Sequence, residues 1–326
     1  MFDNAFDGQK APLRALTLTY FSRGIETMNK EELTLQFTDL MAKFTSYLGK
    51  YMPDDVTKRL TELRAEQNTD IGKLIYDSMF IDLELAKKQN VPACQDTGVI
   101  QYFVQCGTNF PLINELQDCL REATIRATKE APLRHNAVQI FDEKNTGNNT
   151  GVRIPWVDWE IVPNNDECII YGYMAGGGCS LPGTAKVLMP VEGYEGIVRT
   201  IFDVITERGI NACPPLLVGI GIGGSVEVAA TLSKKALMRP IDSVNPNERG
   251  AEFERLIEEG LNKINIGPGG LTGVKSVMGV NVEQAARHPS CLAVGVSVGC
   301  WAHRRACIKV NADLTYEMIS HKGVEL

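Results

Sequence analysis

The sequence predicts an α+β fold, in which a helical N-terminal layer is followed by a mixed α/β region. Three observations support this. Apolar residues recur at helical spacing over about residues 26–90, turn-forming residues become frequent from residue 91, and short apolar runs then alternate with amphipathic segments to residue 326. Residues 1–25 show no clear period, and we treat them as an N-terminal extension of uncertain order.

The N-terminal layer is predicted to contain three helices. The segment Glu31–Met41 has apolar residues at helical spacing. Pro53, followed by two acidic residues, marks the start of a second helix, and Ile71–Lys88 supplies the third. The region up to residue 90 is therefore predicted to be mainly helical.

The region from residue 91 to residue 326 is predicted to alternate strands with helices. The predicted strands are Val99–Val104, Ala137–Phe141, Ile169–Met174, Val277–Val282 and Ala293–Val298. The predicted helices are Tyr194–Arg208, Ser225–Arg239 and Glu248–Asn265, and Gly209 is expected to stop the first of them. No internal repeat interrupts this pattern, so residues 26–326 are predicted to form one domain.

Composition and charge exclude several classes of protein. The chain has 326 residues and a net charge of −7, which argues against nucleic acid or an anionic membrane as a partner. Its N-terminus lacks the basic and apolar pattern of a signal peptide, and no run of apolar residues is long enough for a membrane span. We therefore expect a cytoplasmic protein.

The nine cysteines are scattered and include no C-x-x-C pair. This pattern disfavours a zinc ribbon, a thioredoxin-type dithiol and a ferredoxin-type cluster. In a reducing compartment it favours buried thiols and metal ligands. Five cysteines fit apolar strands or helix faces and are interpreted as structural: Cys106, Cys119, Cys168, Cys291 and Cys307.

Cys94, Cys213 and Cys300 instead lie on loops marked by proline or glycine, where side chains are placed at the mouth of a cleft. Three dispersed thiolates suit a 4Fe–4S cluster with one open iron, which acts as a Lewis acid towards a substrate hydroxyl. On spacing alone, three loop thiols without a metal remain an alternative. Cys179 is a rival ligand, and a fourth cysteine ligand would close the open position.

Several motifs together resemble the N-terminal catalytic portion of class I fumarases and tartrate dehydratases, which are iron–sulfur hydro-lyases. They are Ala93–Gly98, Pro132–Asn136, Gly176–Gly178, Asn211–Pro215, Ala286–Pro289 and Gly299–Arg305. The resemblance runs from about residue 30 to the C-terminus and implies the fold of that N-terminal portion. The segments Trp156–Trp159, Met174–Gly183 and Val187–Gly196 resemble the tartrate dehydratase branch.

The resemblance implies a cofactor, a substrate and partners. The cofactor is a 4Fe–4S cluster with three cysteine ligands and one open iron, held by Cys94, Cys213 and Cys300. The reaction is dehydration of L(+)-tartrate, a small dicarboxylate, to oxaloacetate; the alternative is the fumarate and malate reaction of a class I fumarase alpha subunit. In single-chain relatives a second domain completes the site, so a separate beta subunit and an α2β2 assembly are expected.

The resemblance also implies residues that contact the substrate and act in catalysis. They are Gln95, Asp96, Arg134, the backbone of Gly177, and His288. The family histidine that aligns with His288 reaches into the site of a neighbouring subunit, which implies a contact between two alpha chains. The general base has no clear candidate in this sequence.

These residue types suit dicarboxylate chemistry. Arg134 offers a planar fork for a carboxylate, although a structural arginine is the plain alternative. Gln95 can hydrogen-bond a hydroxyl or a carboxylate. Asp96 can orient the leaving hydroxyl or act as an acid, and it can equally cap a helix or shape a turn. Around Gly177, glycines allow backbone to approach a ligand closely.

Two other classes of protein compete with the hydro-lyase. Gly219–Gly224 matches the G-x-G-x-x-G fingerprint of an NAD-binding Rossmann dehydrogenase, follows the apolar run Leu216–Val218 and precedes a predicted helix. Asp242 lies near the expected distance for a ribose ligand, but Met238–Asp242 leaves no room for a second strand that ends at this acid. A non-catalytic binding or scaffold protein is the third class.

Overall fold

The computed structural model of the chain describes residues 29–326. The predicted extension at residues 1–25 lies outside the described residues. Within the described part the helices are α1 (Lys30–Lys50), α2 (Asp54–Ala65), α3 (Asp70–Gln89), α4 (Leu116–Glu130), α5 (Gly177–Ser180), α6 (Gly193–Arg208), α7 (Val226–Met238) and α8 (Glu248–Asn262). Short 3₁₀ helices cover Pro190–Glu192, Gly209–Ala212 and Pro268–Gly270.

The strands form two main sheets and one small hairpin. They are β1 (Val99–Gly107), β2 (Val138–Gln139), β3 (Lys144–Asn145), β4 (Trp156–Val162), β5 (Cys168–Ala175), β6 (Thr184–Leu188), β7 (Leu216–Gly224), β8 (Val277–Arg287), β9 (Leu292–Gly299), β10 (Arg304–Val310) and β11 (Tyr316–Met318). The first sheet has the order β11-β10-β5-β1-β4 and the second β6-β9-β7-β8, while β2 pairs with β3. This arrangement confirms the predicted α+β fold.

The N-terminal layer consists of α1, α2 and α3, as predicted. The Asn29 side chain accepts a hydrogen bond from the Glu32 amide at 2.9 Å, and Thr69 accepts one from the Gly72 amide at 3.0 Å. These contacts satisfy amides that the first turns of α1 and α3 leave free. Helix α3 ends at Gln89, and the φ of 55° at the next residue, Asn90, turns the chain towards the Cys94 loop.

Each main sheet has its own core. Helices α1 and α4 cover one face of the first sheet, where Phe37, Phe44, Tyr102 and Leu120 are buried. Helices α6, α7 and α8 pack on the second sheet, in which β7 runs parallel to β8 and antiparallel to β9. A third cluster, which includes Tyr173 of the first sheet, joins α2 and α3 to both sheets. The cysteine loops emerge beside this junction.

A buried ion pair fixes the helical layer to the first sheet. Arg305 of β10 donates to the Asp55 carboxylate at the start of α2, and the two side chains are 4% and 12% exposed. The same carboxylate accepts a hydrogen bond from the Ile241 amide at 2.8 Å. The position of α2 is therefore specified by charge as well as by apolar packing.

Several predicted boundaries are wrong for physical reasons. Ala137–Phe141 yields only the two-residue β2, because Ile140 and Phe141 are exposed and no apolar face covers them. Helix α6 does end at Arg208 as predicted, but Gly209, with a φ of −58°, begins a 3₁₀ helix and does not adopt the left-handed conformation of a typical glycine cap. Helix α8 ends at Asn262, three residues earlier than predicted, because the Asn262 side chain accepts hydrogen bonds from the amides of Ser276 and Val277. The prediction omitted α4, α5, β3, β4, β6, β7, β10 and β11.

The glycine-rich segment that suggested a dinucleotide site lies within β7. A Cβ on Gly219 would overlap the carbonyl oxygen of Ser233, and one on Gly221 would overlap that of Ala229. These glycines therefore allow α7 to pack closely on the sheet. Asp242 lies in the turn after α7 and not at the end of a strand, so the dehydrogenase alternative is not supported.

Candidate active site

The three candidate ligand cysteines lie at the ends of different elements. Cys94 follows α3 by a short loop, Cys213 follows the 3₁₀ helix Gly209–Ala212, and Cys300 follows β9. The Trp301 amide donates to the Cys213 carbonyl at 3.2 Å, which joins two of these loops directly. Segments that are distant in sequence are thus brought to one place.

The sulfur atoms of this trio influence one another. Burial raises the pKa of Cys213, and the nearby sulfurs of Cys300 and Cys94 raise the pKa further. Burial also raises the pKa of Cys94, whereas the positive charge of Arg304 acts in the opposite direction. The Cys300 sulfur raises the pKa of both Cys94 and Cys213, so a positively charged iron centre among these thiols would favour their ionised forms.

Cys213 has an unusual backbone conformation. Its φ of 52° and ψ of 75° lie in the left-handed region, which is uncommon for a residue with a Cβ. A Cβ on Gly178 would overlap the Asn211 carbonyl, so the glycine loop packs directly on the Cys213 loop. This explains why glycine is required beside this cysteine.

Cys179 is buried beside Cys300. A hydrogen bond between their sulfurs raises the pKa of Cys300, and burial raises the pKa further. Over residues 29–326, no three histidine, cysteine, aspartate or glutamate side chains converge in the way that a single metal ion requires.

Asp96 connects the loops around the cysteines. Its carboxylate accepts hydrogen bonds from the Gly98 amide at 3.1 Å, from the Gly177 amide at 2.8 Å and from the Asn136 side-chain amide. Its carbonyl accepts a hydrogen bond from Arg304 at 2.5 Å. Asp96 therefore fixes the geometry of four segments in addition to any contact with substrate.

The loop that carries Arg134 is stabilised by hydrogen bonds to a buried asparagine. Asn149 accepts a hydrogen bond from the Asn136 amide at 2.7 Å and donates one to the Arg134 carbonyl at 3.1 Å. The Arg134 side chain itself is exposed, as is that of Gln95. Both are therefore accessible from solvent beside the cysteine loops. The asparagine was missed in the sequence because it lies within an apparent turn cluster.

Arg304 is a further functional candidate beside the cysteines. It is 1% exposed, and its Nε and Nη1 atoms have no hydrogen-bond partner among the described residues. A buried cation with unused donors is costly unless an anion lies nearby. The proximity of Arg304 to Cys300 in the sequence was the available signal.

His288 is not brought to this site within the chain. It lies just before β9, whereas Cys300 lies just after it. The eight residues of β9 span about 24 Å at about 3.4 Å per residue, so the two residues mark opposite ends of the sheet. The His288 side chain is exposed. It can contribute to a site only in another copy of the chain.

The residues present fit an iron–sulfur cluster. Three thiols supply soft anionic ligands, and Arg304 supplies a compensating positive charge with free N–H donors. The buried Tyr173 hydroxyl beside Cys300 and Cys179 also has no partner in the described part of the chain. Such donors are suited to the sulfur atoms of a cluster.

Comparison with known proteins decides the family. The family model described as Fumarate hydratase (Fumerase) matches residues 38–309. The chain belongs to the Fumerase family. It is therefore a hydro-lyase, and membership implies an iron–sulfur cofactor in general terms.

Members of the Fumerase family that are similar to this chain include subunits of tartrate dehydratases. L(+)-tartrate dehydratase subunit alpha from Escherichia coli strain K12 is 55% identical over 293 residues, which cover 90% of this chain and 97% of that protein. The protein of the same name from Shigella sonnei has the same identity and coverage. A relative from Methanocaldococcus jannaschii is 33% identical over 282 residues, 86% of this chain and 99% of its own length.

The first two of these relatives are named as the alpha subunit of an L(+)-tartrate dehydratase. No helix within residues 29–326 is long and apolar enough to cross a membrane.

Proposed function

We propose that this chain is the alpha subunit of an L(+)-tartrate dehydratase, which removes water from L(+)-tartrate to give oxaloacetate. The convergence of Cys94, Cys213 and Cys300 beside Arg304 carries the proposal, because three thiols leave one iron of a 4Fe–4S cluster open. That cluster, when bound, supplies a Lewis acid for the departing hydroxyl.

The residues around the cysteines position the substrate. Arg134, exposed on a rigid loop, binds one carboxylate through its planar fork. Gln95 hydrogen-bonds a hydroxyl or carboxylate next to the cluster. Asp96 holds the amide of Gly177 and is within reach of the same space, where it orients or protonates the departing oxygen.

The general base is proposed to come from the partner subunit. In residues 29–326, the charged groups near the trio are Arg304, which is 1% exposed, the half-buried Lys234, whose Nζ lies 5.6 Å from the Tyr173 ring centroid, and the Asp96 carboxylate, which already accepts three hydrogen bonds. A beta subunit would close the cleft and supply the missing group. We propose an α2β2 assembly in which His288 reaches the site of the second alpha chain.

Fumarate and malate are the alternative substrates. The fold supports both reactions, since the same cluster and carboxylate contacts serve either dicarboxylate. The similarity to tartrate dehydratases over 90% of the chain favours tartrate. Anaerobic assays of the complex with L-tartrate, D-tartrate and malate distinguish the candidates, and malate as the best substrate would contradict the proposal.

Cysteine variants test the cluster independently of turnover. We expect Cys94→Ser, Cys213→Ser and Cys300→Ser to lose most of the iron and sulfide of the anaerobically purified chain. Cys291→Ser is the matched control, because Cys291 is half-buried and lies at the other end of β9. If Cys179→Ser removed the iron as completely as Cys213→Ser, a fourth ligand would fill the open position and the mechanism would fail.

A further inference from the structure

Helix α3 carries an exposed apolar stripe. Four residues on one face are between 46% and 63% exposed: Ile71, Leu74, Ile81 and Leu85. Together with Ser78 they follow the alternating three- and four-residue spacing with which one helix packs along another. The opposite face of α3 is already buried, with Tyr76 and Met79 in the core. The stripe is therefore a second contact surface and not a part of the fold's interior.

Loops that carry two of the proposed ligand cysteines lie near the two ends of the stripe. The C-terminal end of α3 leads through Asn90 directly to Cys94. Near the N-terminal end, the loop around Gly269 lies beside Ile75 of α3, and the Gly269 amide donates to the Pro214 carbonyl at 2.8 Å, next to Cys213. A molecule that covers α3 therefore borders the loops of two proposed ligands.

Ile210 and Leu271 extend the apolar surface towards Cys213. They are 53% and 74% exposed, and a Cβ on Gly270 would overlap the Ile210 side chain, so the two loops are in contact. The apolar surface thus runs from α3 to the residues that precede the second cysteine loop.

Charge distinguishes between the possible occupants. Acidic residues flank the stripe, with Asp77 and Glu84 on one side and Asp82 on the other, while the exposed Lys73 lies beyond the first side and Lys88 follows the stripe at its C-terminal end. Pairing α3 with its own copy would place Asp77 opposite Glu84 in the antiparallel orientation, or opposite Asp82 in the parallel one. Like charges at these positions oppose association, although Asp77 is partly neutralised by Arg64 at 2.5 Å. A partner helix with basic flanks fits better than a second copy.

We propose that the exposed face of α3 is the docking surface of the partner subunit, which contributes an apolar helix with basic flanking residues. This rests on the proposed function, in which a beta subunit completes the site. Docking along α3 places the partner beside the loops that carry Cys94 and Cys213. The alpha–alpha contact is then left to the opposite end of the second sheet, where His288 lies.

Variants of the stripe test this surface in the complete chain. Leu74→Glu and Ile81→Glu change exposed side chains, so the isolated alpha chain should keep its circular dichroism spectrum and its iron content. We expect each to weaken binding of the purified beta subunit at least about 100-fold, measured anaerobically by calorimetry. Leu35→Glu on α1 is the matched control, since Leu35 is an apolar helix residue with 70% exposure.

Charge reversal gives a second measurement. Glu84→Lys is expected to weaken binding about 3- to 10-fold at low salt and less at high salt, because flanking charges are screened. Unchanged binding by both stripe variants would overturn the docking proposal. So would stripe variants that alter only association between alpha chains, because a second copy would then occupy the face.

The two proposals fail in different ways. If the wild-type chain binds the beta subunit and dehydrates L-tartrate, but the stripe variants behave like wild type, only the docking surface is wrong. If the wild-type chain turns over L-tartrate fully without any partner, the subunit requirement of the proposed function fails, and the docking proposal fails with it.

Discussion

Replacing Asp96 tests how far the site depends on one carboxylate. Asp96→Ala removes the acceptor for the amides of Gly98 and Gly177 and for the side chain of Asn136. Hydrogen bonds to charged groups contribute about 1.5–3 kcal/mol each when buried, but Asp96 is half-buried and water can replace part of the loss. At about 1 kcal/mol for each bond, we expect the free energy of unfolding to fall by about 3 kcal/mol.

The effect on turnover should be larger than this loss alone suggests. The same substitution releases the glycine loop and the loop of Arg134 from the cysteine loop, so the substrate is no longer held in the position that the reaction requires. A misplacement of this kind is expected to lower the turnover of L-tartrate by at least about 100-fold, or about 2.7 kcal/mol in the barrier. The stability and turnover of Asp96→Asn should lie between those of Asp96→Ala and wild type, because the NH₂ group of asparagine would face a hydrogen-bond donor.

The measurements are urea unfolding of the isolated chain and anaerobic turnover of the complex with its partner. Asp142→Asn is the control, since Asp142 is exposed and substitutions at such positions usually change stability by less than about 0.5 kcal/mol. If Asp96→Ala unfolded within about 0.5 kcal/mol of wild type and kept its turnover, Asp96 would be neither the connecting residue nor a contact for substrate.

Three further predictions concern stability, each read from urea unfolding. Asp55→Ala leaves the buried Arg305 guanidinium unpaired and is expected to cost about 3–5 kcal/mol; a loss below about 1 kcal/mol would refute the importance of this pair. Gly219→Ala places a Cβ against the backbone of α7 and should cost about 3 kcal/mol or more, whereas Gly147→Ala, with a φ of 77° and open space around it, should cost only about 1 kcal/mol. Burial lowers the pKa of His321 to about 4, so the unfolded chain binds a proton between pH 6.5 and 4 that the folded chain does not. The free energy of unfolding is therefore highest above pH 6.5 and falls by about 3 kcal/mol as the pH drops through this window. A His321→Phe variant whose free energy of unfolding falls as steeply with pH would contradict this.

Local features of the fold were predictable because they depend on neighbouring residues. The period of apolar residues in α1, α2 and α3 follows from burial of one helix face, and the three helices start within a few residues of their predicted positions. The edge strand β4 was not predictable in this way. Its side chains are mostly exposed, so Trp156–Val162 lacks the alternation of a half-buried strand.

The candidate site was predictable in its residue types but not in its connections. Proline and glycine around Cys94, Cys213 and Cys300 indicated loops, and all three cysteines do lie on loops. That Asp96 joins four segments, and that Arg304 is buried, depend on contacts between residues far apart in the chain. Neither contact leaves a periodic signal in the sequence.

The sequence by itself determined the helical layer, the absence of C-x-x-C pairs and the loop positions of the cysteines, because propensity and local pattern act over a few residues. The tertiary structure alone decided which cysteine loops lie together, since the ends of α3, β9 and the 3₁₀ helix Gly209–Ala212 come together only when both sheets pack at their shared core. It also placed His288 about one strand length away from Cys300, because the turn that carries His288 joins β8 to the start of β9, whereas Cys300 follows the end of β9.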